Sequence, residues 1–511
     1  MTYDVAIVGY GPVGVTAANL LGQMGVNVVV VERDPDIYAR ARAISTDEEV
    51  VRIWQHIGLA DRLNADMQPG CGATFVDAKG VPFVQLLPTS RGNGHPPQQF
   101  IYQPALEQVL RDGVDRFPNV TLLLQHECLR LVQRADHVEL MLADLTVDEF
   151  RRIRASYVIA ADGGSSAIRT QLGVGFSGKT FAERWIVIDT KVLKEWPGHD
   201  RLRFHCNPAR PTVDCPTPLG HHRWEFPVHE SEDERDLLRE EEIWKVLRAQ
   251  GIDEDHVRIL GYACYSHHVR FADRWRVGRV FLAGDAAHAM PPWIGQGMCA
   301  GVRDVANLCW KLGAVLGSRL PESVLDSYQV ERLPHVTEVT NRAVKIGKLI
   351  IQRNRWRATA RNHFFRTLTK VPYTLTWLRN HRWIPDARYT DGFVAKNGNG
   401  ATGWLIPQPW VVDEKGDTVH LDDIVGGRWT VLHLGPPSDF RAWRSAGVPV
   451  LKITPAETAP SPDSLVDSDS SLVRWLEKKG ASAVVVRPDG FIYAGAEAGQ
   501  PLPAPPAGFT A

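Results

Sequence analysis

Three glycines near the start of the chain, together with a later acidic residue, have the spacing of a dinucleotide-binding loop. Gly9, Gly11 and Gly14 directly follow the apolar strand pattern of residues 4–8, and a second such strand ends on Glu32. In this setting the first glycine allows a tight turn, the second lets the backbone approach a pyrophosphate, and the third allows close helix–strand packing. The terminal carboxylate can accept hydrogen bonds from ribose hydroxyls. The pattern predicts dinucleotide binding.

A second stretch that could do chemistry, residues 280–312, combines an apolar strand, a proline-containing loop and a helix. Gly284 and Asp285 end the strand, and Pro292 precedes the glycine-flanked residues 295–297. A helix that begins at glycines offers free N–H groups and a positive dipole end, which favour an anionic or electron-rich ligand. Taken alone, the stretch is equally compatible with an ordinary strand–loop–helix connection.

Polar residues beside other predicted elements could reach the same ligand. Arg42 precedes a predicted helix, and Gln103 lies at the start of another. Asp162 and Gly163 end a further apolar strand and are followed by Arg169. These residues could contact phosphate or sugar groups, although an arginine at such a place is also compatible with solvation and Asp-Gly with a simple turn.

Length and composition limit the classes of protein to consider. A chain of 511 residues is too long for one core, so two or three domains are expected. A net charge of −1 gives no electrostatic reason to expect nucleic acid or an anionic membrane as a partner. No apolar run approaches the roughly 20 residues that span a bilayer, and the amino terminus has no signal-peptide pattern. We therefore expect a cytoplasmic protein.

The cysteines and histidines indicate no metal site. The seven cysteines form no CxxC pair and no other spacing typical of metal ligands. We therefore predict no metal and expect reduced, scattered thiols.

In their order along the chain, the three motifs resemble those of the class A flavin monooxygenases, the FAD-dependent aromatic hydroxylases of the para-hydroxybenzoate hydroxylase type. The resemblance covers roughly residues 1–395, and residues 290–308 look most like the 3-(3-hydroxyphenyl)propionate hydroxylase branch, close to the phenol hydroxylases. It implies an α/β fold with a Rossmann-like FAD-binding domain, residues 1–183 and 266–395, the second part of which ends in helices. Residues 184–265 would form an inserted β-rich substrate domain.

The carboxyl-terminal part, residues 404–511, resembles the thioredoxin-like domain of phenol hydroxylase relatives, and residues 386–403 have the composition of a linker. A redox-active domain of this kind needs CxxC after its first strand. The sequence has Gly-Pro-Pro-Ser at residues 435–438, and no cysteine follows residue 309. We interpret the domain as structural or as a support for a dimer.

The resemblance also implies roles for individual residues. Arg42 and Gln103 would contact the pyrophosphate and ribityl region, and Asp162 would lie near the pyrophosphate. Asp285 would bind the ribityl hydroxyls, and Pro292 with the loop after it would line the isoalloxazine ring. The candidate FAD-binding residues are Gly9, Gly11, Pro12, Gly14, Glu32, Arg33, Arg42, Gln103, Asp162, Gly284, Asp285, Pro292, Gly295, Gln296, Gly297 and Met298.

The substrate side is less defined, and no catalytic residue is assigned. His205, Trp224, His267 and Trp293 are candidates to face an aromatic ring, although each is also compatible with a packing or surface position. Trp293 departs from the family pattern and could narrow the pocket or stack against flavin or substrate. Cys299 is a second departure, at a position where asparagine is common.

The resemblance implies hydroxylation of a phenolic substrate such as 3-(3-hydroxyphenyl)propionate. NADH or NADPH would reduce FAD, and O₂ would add to give a flavin C4a-hydroperoxide that transfers oxygen to the ring. Alternatives are a hydroxylase of a larger polycyclic or polyketide substrate, a flavin reductase or halogenase without this oxygen insertion, and a non-catalytic nucleotide-binding module. The choice of nicotinamide nucleotide and a homodimeric state stay open.

Overall fold

A computed structural model of the protein describes residues 2–38, 42–70, 72–379, 385–435, 439–459 and 461–510. In chain order the strands are β1 (Thr2–Val8), β2 (Val28–Val31), β3 (Ser45–Asp47), β4 (Gln68–Pro69), β5 (Ala73–Val76), β6 (Pro82–Leu86), β7 (Gln98–Phe100), β8 (Val120–Leu123), β9 (His126–Gln133), β10 (Val138–Asp144), β11 (Glu149–Ala160), β12 (Phe176–Val192), β13 (Leu202–His205), β14 (Thr212–Thr217), β15 (His221–Pro227), β16 (Val257–Ala272), β17 (Arg276–Val277), β18 (Val280–Leu282), β19 (His288–Ala289), β20 (Trp410–Val412), β21 (Thr418–His420), β22 (Thr430–His433), β23 (Val450–Pro455), β24 (Ser464–Asp467), β25 (Ala483–Val486) and β26 (Ile492–Ala496).

The helices in chain order are α1 (Pro12–Gln23), α2 (Glu48–His56), α3 (Ala60–Ala65), α4 (Gln103–Val114), α5 (Ala167–Gln171), α6 (Glu234–Leu237), α7 (Glu240–Arg248), α8 (Gly297–Leu316), α9 (Ser327–Ile350), α10 (Arg355–Leu368), α11 (Pro372–Arg379), α12 (Leu421–Val425), α13 (Arg441–Ser445) and α14 (Ser471–Lys478). Short 3₁₀ turns occupy Gly284–Ala286, Pro292–Ile294 and Glu322–Asp326.

The first sheet brings the sequence motifs together at one edge. Its order is β17-β18-β11-β1-β2-β8, and the β9–β10 hairpin is attached to β11. The strands from β18 to β8 are mutually parallel. Residues 5–8 of β1, 28–31 of β2, 158–160 of β11 and 280–282 of β18 are buried apolar runs, as expected for the centre of a sheet covered on both faces. Because parallel strands end at the same edge, the segments after β1, β2, β11 and β18 are neighbours.

The close packing of α1, α8 and the loop after β1 depends on glycines, which have no side chain. A Cβ atom at Gly14 would lie 1.9 Å from the carbonyl oxygen of Gly9, and one at Gly301 would lie 2.5 Å from the Val13 side chain. Only glycine therefore allows α1 and α8 to approach each other and the loop after β1 this closely.

The second sheet extends beyond the predicted substrate domain, residues 184–265. Its order is β19-β16-β12-β15-β14-β13-β5-β6. Strand β12 begins at Phe176, β16 ends at Ala272, and β5 and β6 come from the segment that precedes residue 87. Strand β5 pairs in parallel with β13 across more than a hundred residues of chain. A pairing between segments so distant leaves no local sequence pattern, which is why the sheet includes strands outside residues 184–265.

The third sheet, near the carboxyl terminus, has the order β21-β20-β24-β23-β22-β25-β26. Strands β22, β23 and β24 are parallel, while β25 and β26 run antiparallel to them. This arrangement is consistent with the thioredoxin-like fold that the sequence indicated. Of the segment that replaces CxxC, residues 436–438 lie outside the described residues.

The predicted linker, residues 386–403, is packed between helices α8 and α9 and the third sheet. Tyr389 is buried and stacks on Phe491 with ring centroids 4.0 Å apart. Beside it, Arg487 donates two hydrogen bonds to Glu331 of α9, at 2.9 and 3.0 Å, with both side chains fully buried. Breaking a buried pair of this kind typically costs about 3–5 kcal/mol. The segment is thus part of the interior, and the linker prediction was wrong.

The described residues contain neither a membrane-spanning helix nor a cluster of metal-binding side chains. None of their helices combines the length and apolar character that crossing a bilayer requires. Nor do three or more of their His, Cys, Asp and Glu side chains form a group able to hold a metal ion.

Candidate active site

One cavity of about 600 Å³ runs from the edge of the first sheet to the face of the second. Residues of the β1, β11 and β18 loops line one end, and residues of β5, β6, β13, β14 and β15 line the other. Helices α9 and α10 contribute further side chains. The sequence predicted the two sheets, but it did not predict that basic helices after residue 321 would form part of the wall.

The glycines of the first motif differ in their surroundings. A Cβ atom at Gly9 would lie 2.3 Å from the Ala161 carbonyl oxygen, so Gly9, like Gly14, is fixed by packing. A Cβ atom at Gly11 would meet nothing within 4 Å, and Gly11 lines the cavity. Gly11 also precedes Pro12, the first residue of α1, and no side chain caps this helix. Backbone N–H groups are thus presented at a place open to an anion.

Glu32 and Arg33 follow β2 at the same edge. The Glu32 carboxylate accepts hydrogen bonds from the N–H groups of Tyr10, at 2.7 Å, and Asp34, at 2.9 Å. Arg33 is exposed, with its Nε 3.8 Å from a carboxylate oxygen of Asp34. Neither forms part of the cavity wall. Glu32 therefore ties the loop after β1 to the end of β2.

Arg42 and Gln103 both line the cavity, and their contacts fix one loop. The Gln103 side-chain carbonyl accepts hydrogen bonds from the backbone N–H groups of Arg42, at 2.7 Å, and Ala43, at 2.6 Å. Its amide donates to Glu107 at 2.7 Å. Gln103 thus fixes the backbone of the loop that carries Arg42.

Asp162 follows β11 but is not part of the cavity wall. One oxygen accepts a hydrogen bond from the Ile168 N–H at 3.2 Å, and the other is buried without a partner among the described residues. Burial raises the pKa of this carboxyl. Nearby, Arg169 donates to the carbonyl oxygens of Gly164, at 2.8 Å, and Ala286, at 3.0 Å. Arg169 thereby joins the loops that follow β11 and β18.

Asp285 points its carboxylate into the cavity. It lies in the 3₁₀ turn after β18, and among the described residues no side chain or N–H group donates a hydrogen bond to it. Its recessed position raises its pKa, against the smaller opposing effects of His288 and Arg42. The residue is solvent-accessible where it lines the cavity, and a ligand that covered it without donating hydrogen bonds would leave a costly unpaired carboxylate. Hydroxyl groups of a bound molecule would supply the missing donors.

The loop before α8 forms the adjacent wall. Gly295 has φ +63°, and a Cβ atom there would lie 2.3 Å from Ser45 Oγ. Helix α8 begins at Gly297 with no side-chain cap and no acidic residue in its first turn. Its free N–H groups and positive dipole end are therefore available to a ligand. Pro292 and Met298 complete this part of the wall.

A buried ionic network holds that loop to α2. Arg303 donates to Asp47 at 2.6 Å and lies 2.8 Å from Glu49, and Gln296 donates to Asp47 at 3.0 Å. Burial alone would raise the pKa of Asp47, but the charge of Arg303 and the hydrogen bonds outweigh it and hold that pKa below its usual value. The network fixes the position of Gln296 and, with it, the start of α8.

The other end of the cavity is apolar and aromatic. Phe75 and Phe204 stack with centroids 4.8 Å apart, and Phe83 lies 6.3 Å from Phe75 and 6.4 Å from Phe365. All four line the cavity. None was predicted, because each lies on an element whose place in the second sheet or beside it depends on long-range pairing.

Two of the substrate-pocket candidates, His205 and Trp224, lie on the face of the second sheet that points away from the cavity. The His205 ring lies 2.5 Å from a carboxylate oxygen of buried Asp214, and Trp224 stacks on Trp196 at 5.6 Å. Neither lines the cavity. Since side chains alternate along a strand, the residues that reach the cavity are their neighbours.

The other two candidates lie in contact with each other. Trp293 lines the cavity, and its indole is so close to α9 that a Cβ atom at Gly347 would lie 2.1 Å from it. His267 lies behind it, 5.7 Å from Trp293 and 5.5 Å from Trp185 between ring centroids. Burial lowers the pKa of His267 to about 4, so this ring is neutral at pH 7. Cys299 is buried and does not line the cavity.

Comparison with known proteins identifies the family. A family model described as FAD binding domain matches residues 2–343, and one described as HcaD C-terminal domain matches residues 403–505. The 3-(3-hydroxy-phenyl)propionate/3-hydroxycinnamic acid hydroxylases of Klebsiella pneumoniae subsp. pneumoniae and of Escherichia coli K12 are each 34% identical to this chain over 96% of its length, covering 92% and 91% of their own. The chain belongs to the class A FAD-dependent aromatic monooxygenases.

Solved structures agree with this family. The flavin-dependent monooxygenase PieE has a TM-score of 0.81 at 24% identity, over 97% of this chain and 96% of its own. The anhydrotetracycline hydroxylase OxyS of Streptomyces rimosus has a TM-score of 0.77 at 26% identity, with the same coverage. The first comparison supports the fold alone.

Family membership makes the protein an FAD-dependent aromatic hydroxylase that uses O₂ and a reduced pyridine nucleotide. The residues of the cavity fit this cofactor. Gly11 leaves room for a pyrophosphate, Asp285 offers an unpartnered carboxylate to sugar-like hydroxyls, and the start of α8 offers N–H groups to an electron-rich ring.

Proposed function

We propose that the protein hydroxylates a phenol that carries a short acidic side chain, of the 3-(3-hydroxyphenyl)propionate class. The observation that carries this proposal is one continuous cavity, which joins a glycine-lined cofactor end to a pocket lined by Phe75, Phe83, Phe204 and Phe365. The identity of 34% to hydroxylases with that substrate in their names supports it.

Within this proposal the candidate cofactor residues divide by role. Gly11 and the start of α1 take the pyrophosphate, with Arg42 as its counter-charge. Asp285 accepts hydrogen bonds from the ribityl hydroxyls. Gly295 and residues 296–298 lie along the flavin ring. Glu32, Gln103 and Asp162 order the loops around these groups, and Glu32 also has lone pairs for the adenosine ribose.

Bound FAD supplies the redox chemistry and the activation of O₂. The chain's own residues orient the ring and exclude water. The stacked pair Phe75 and Phe204 borders the substrate ring on the sheet side, and Trp293 closes the pocket toward α9. Exclusion of water would keep the oxygen chemistry that FAD supplies coupled to the substrate ring.

The organisation that goes with this function has three parts. The first sheet with α1, α8 and α9 binds FAD, the second sheet with α10 binds substrate, and the third sheet braces α9 from outside. We further propose a cytoplasmic location, where reduced pyridine nucleotide is available, and a homodimer. Light scattering coupled to size-exclusion chromatography tests the dimer by giving the molar mass in solution.

The proposed function is tested by following NADH or NADPH oxidation, O₂ uptake and product together across a panel of phenols. We expect 3-(3-hydroxyphenyl)propionate to accelerate oxidation and to yield one hydroxylated product per nucleotide oxidised. If only phenols without the acidic side chain do so, the substrate class is wrong while the reaction stands.

A larger polycyclic phenol is the second candidate substrate. It is favoured by the similarity to OxyS, which acts on anhydrotetracycline and is 26% identical to this chain. Polycyclic phenols therefore belong in the same panel. A third outcome, nucleotide oxidation that is independent of any phenol and yields only hydrogen peroxide, would indicate a flavin reductase.

A further inference from the structure

Glu225 is the acidic residue on the substrate side of the cavity. It lies on β15, opposite Val187 of β12 and Val213 of β14, and both Glu225 and Val213 line the cavity. Its neighbours Trp224 and Phe226 belong to a separate apolar cluster on the opposite face of the sheet. Strand alternation therefore directs the Glu225 carboxyl toward the cavity.

The contacts of Arg223 place Glu225 next to the cofactor end. Arg223 Nη1 lies 3.9 Å from Glu225 Oε1 and donates a hydrogen bond to the backbone carbonyl of Arg42 at 3.1 Å. Its Nε donates to Asp189 at 2.8 Å. Arg42 lines the cavity beside Asp285. Glu225 therefore lies where the cofactor end and the apolar pocket meet.

The Glu225 carboxyl has no hydrogen-bond donor among the described residues. The groups that act on its charge are Arg223 on its own strand and Asp189 on β12, and the buried Cys215 thiol lies on β14. Burial raises the pKa of Glu225, and Arg223 opposes this only in part. An unsatisfied buried carboxyl is destabilising, which is typical of groups kept for chemistry.

Three other carboxylates of the cavity wall have partners within the protein, and Asp285 lies at the cofactor end. Asp47 and Glu49 are paired with Arg303. Glu48 accepts hydrogen bonds from Ser90 and two backbone N–H groups. His335 of α9 lines the cavity, but burial and four neighbouring arginines hold its pKa well below the usual value, which makes it a poor base.

We propose that Glu225 accepts the proton of the substrate's phenolic hydroxyl. In this step the O–H bond breaks, the proton moves to a carboxylate oxygen of Glu225, and the electron pair stays on the phenolate oxygen. The negative charge raises the electron density of the ring at the carbon that receives oxygen. A phenol has a reference pKa of about 10, so a positioned base is needed at neutral pH. The inference rests on the proposed function.

The test compares wild type with Glu225→Gln, Glu225→Asp and the control Glu149→Gln, which removes a carboxylate from an exposed position. FAD content, nucleotide oxidation and product are measured from pH 6 to 10, with 3-(3-hydroxyphenyl)propionate and with a ring-fluorinated analogue whose phenol is more acidic. Product formed per nucleotide oxidised is the main readout, because a structural role would not link it to the acidity of the phenol.

We expect Glu225→Gln to keep FAD and substrate-stimulated oxidation but to lose product about a hundredfold at pH 7. Product should return with the fluorinated phenol and at a pH where the phenol ionises unaided. Glu225→Asp should retain part of the activity, and Glu149→Gln should match wild type.

The inference is overturned if Glu225→Gln forms product as wild type does at every pH. It is also overturned if the loss is equal for both phenols at every pH, since that result indicates a structural role. Both of these outcomes leave the proposed function standing, because wild type is active. If wild type hydroxylates no phenol, the proposed function fails and this inference fails with it.

Discussion

The two ends of the cavity are built in different ways. The cofactor end consists largely of backbone, where a Cβ atom at Gly9, Gly14 or Gly295 would lie within about 2.3 Å of another atom. The substrate end consists of side chains from the second sheet and from α9 and α10, such as Phe204 and Phe365. A site formed by tightly packed backbone tolerates almost no substitution. A site formed by side chains can change its substrate specificity while the fold stays the same.

The largest expected effect comes from a pair of glycine substitutions at the cofactor end. Gly14→Ala places a Cβ atom 1.9 Å from the Gly9 carbonyl oxygen, so we expect loss of FAD and a free energy of unfolding lower by about 3 kcal/mol or more. Gly11→Ala meets no protein atom within 4 Å and should weaken FAD binding without destabilising the protein. Flavin absorbance and urea unfolding distinguish the two. Equal destabilisation by both would contradict the comparison.

At the substrate end, Trp293→Ala removes an indole that fills the space between the cavity and α9. We expect the free energy of unfolding to fall by about 3–5 kcal/mol, as for other buried large-to-small changes. FAD should remain bound, and bulkier phenols should stimulate nucleotide oxidation more than in wild type. Steady-state kinetics with one-ring and polycyclic phenols measure this. Loss of flavin would show instead that Trp293 serves the cofactor end.

His267, behind Trp293, should make stability depend on pH. Its pKa is about 4 when folded and 6.5 in the unfolded chain. Between these values the unfolded state binds a proton that the folded state does not, so stability falls as the pH falls from 6.5 to 4, by up to about 3 kcal/mol. In His267→Phe this part of the loss should disappear, while the exposed control His363→Phe should behave as wild type. An unchanged pH slope in His267→Phe would refute the assignment.

Asp285→Asn tests the one side chain that is central to the cofactor end. The unpartnered carboxylate becomes a neutral amide, so we expect FAD to bind about tenfold more weakly. The stability of the protein without FAD should change little, because the Asp285 side chain is solvent-accessible there. Fluorescence titration with FAD and thermal unfolding of the flavin-free protein measure the two effects. A carboxylate that is irrelevant to FAD would leave the affinity unchanged.

The smallest effect on catalysis is expected from the far face of the second sheet. His205→Gln should leave kcat/KM within about threefold of wild type, because its ring points to Asp214 and away from the cavity. The matched change on the adjacent residue, Phe204→Ala, should raise KM clearly. Kinetics on this neighbouring pair test the strand assignment. The reverse ranking would mean that the faces are exchanged.

These differences explain what could be predicted from sequence. The glycine motif could be predicted because its backbone constraints lie within a few residues of each other. The parallel strands then place Asp285 near Gly11. The residues of the substrate wall could not be predicted, because an error of one residue in the alternation of a strand assigns Trp224 to the cavity face in place of Glu225. Phe75 reaches the wall only through the pairing of β5 with β13, which no local pattern records.

The contribution of the helices after residue 321 to the cavity wall could not be predicted from the sequence either. Helices α9 and α10 contain several arginines, yet α9 carries His335 and Ile346 into the cavity wall and α10 carries Phe365. Amphipathic helices with a charged outer face and a short apolar inner stripe look alike whether the inner stripe covers a core or a substrate pocket. Only the placement of the second sheet decides between the two.

The most direct test of the central claim is the origin of the oxygen atom in the product. The purified protein is incubated with NADH or NADPH, 3-(3-hydroxyphenyl)propionate and ¹⁸O₂, and the product is analysed by mass spectrometry. We predict one ¹⁸O atom per hydroxylated product and one product per nucleotide oxidised. Product labelled only from water, or nucleotide oxidation that gives peroxide and no labelled product with any phenol, would contradict the account.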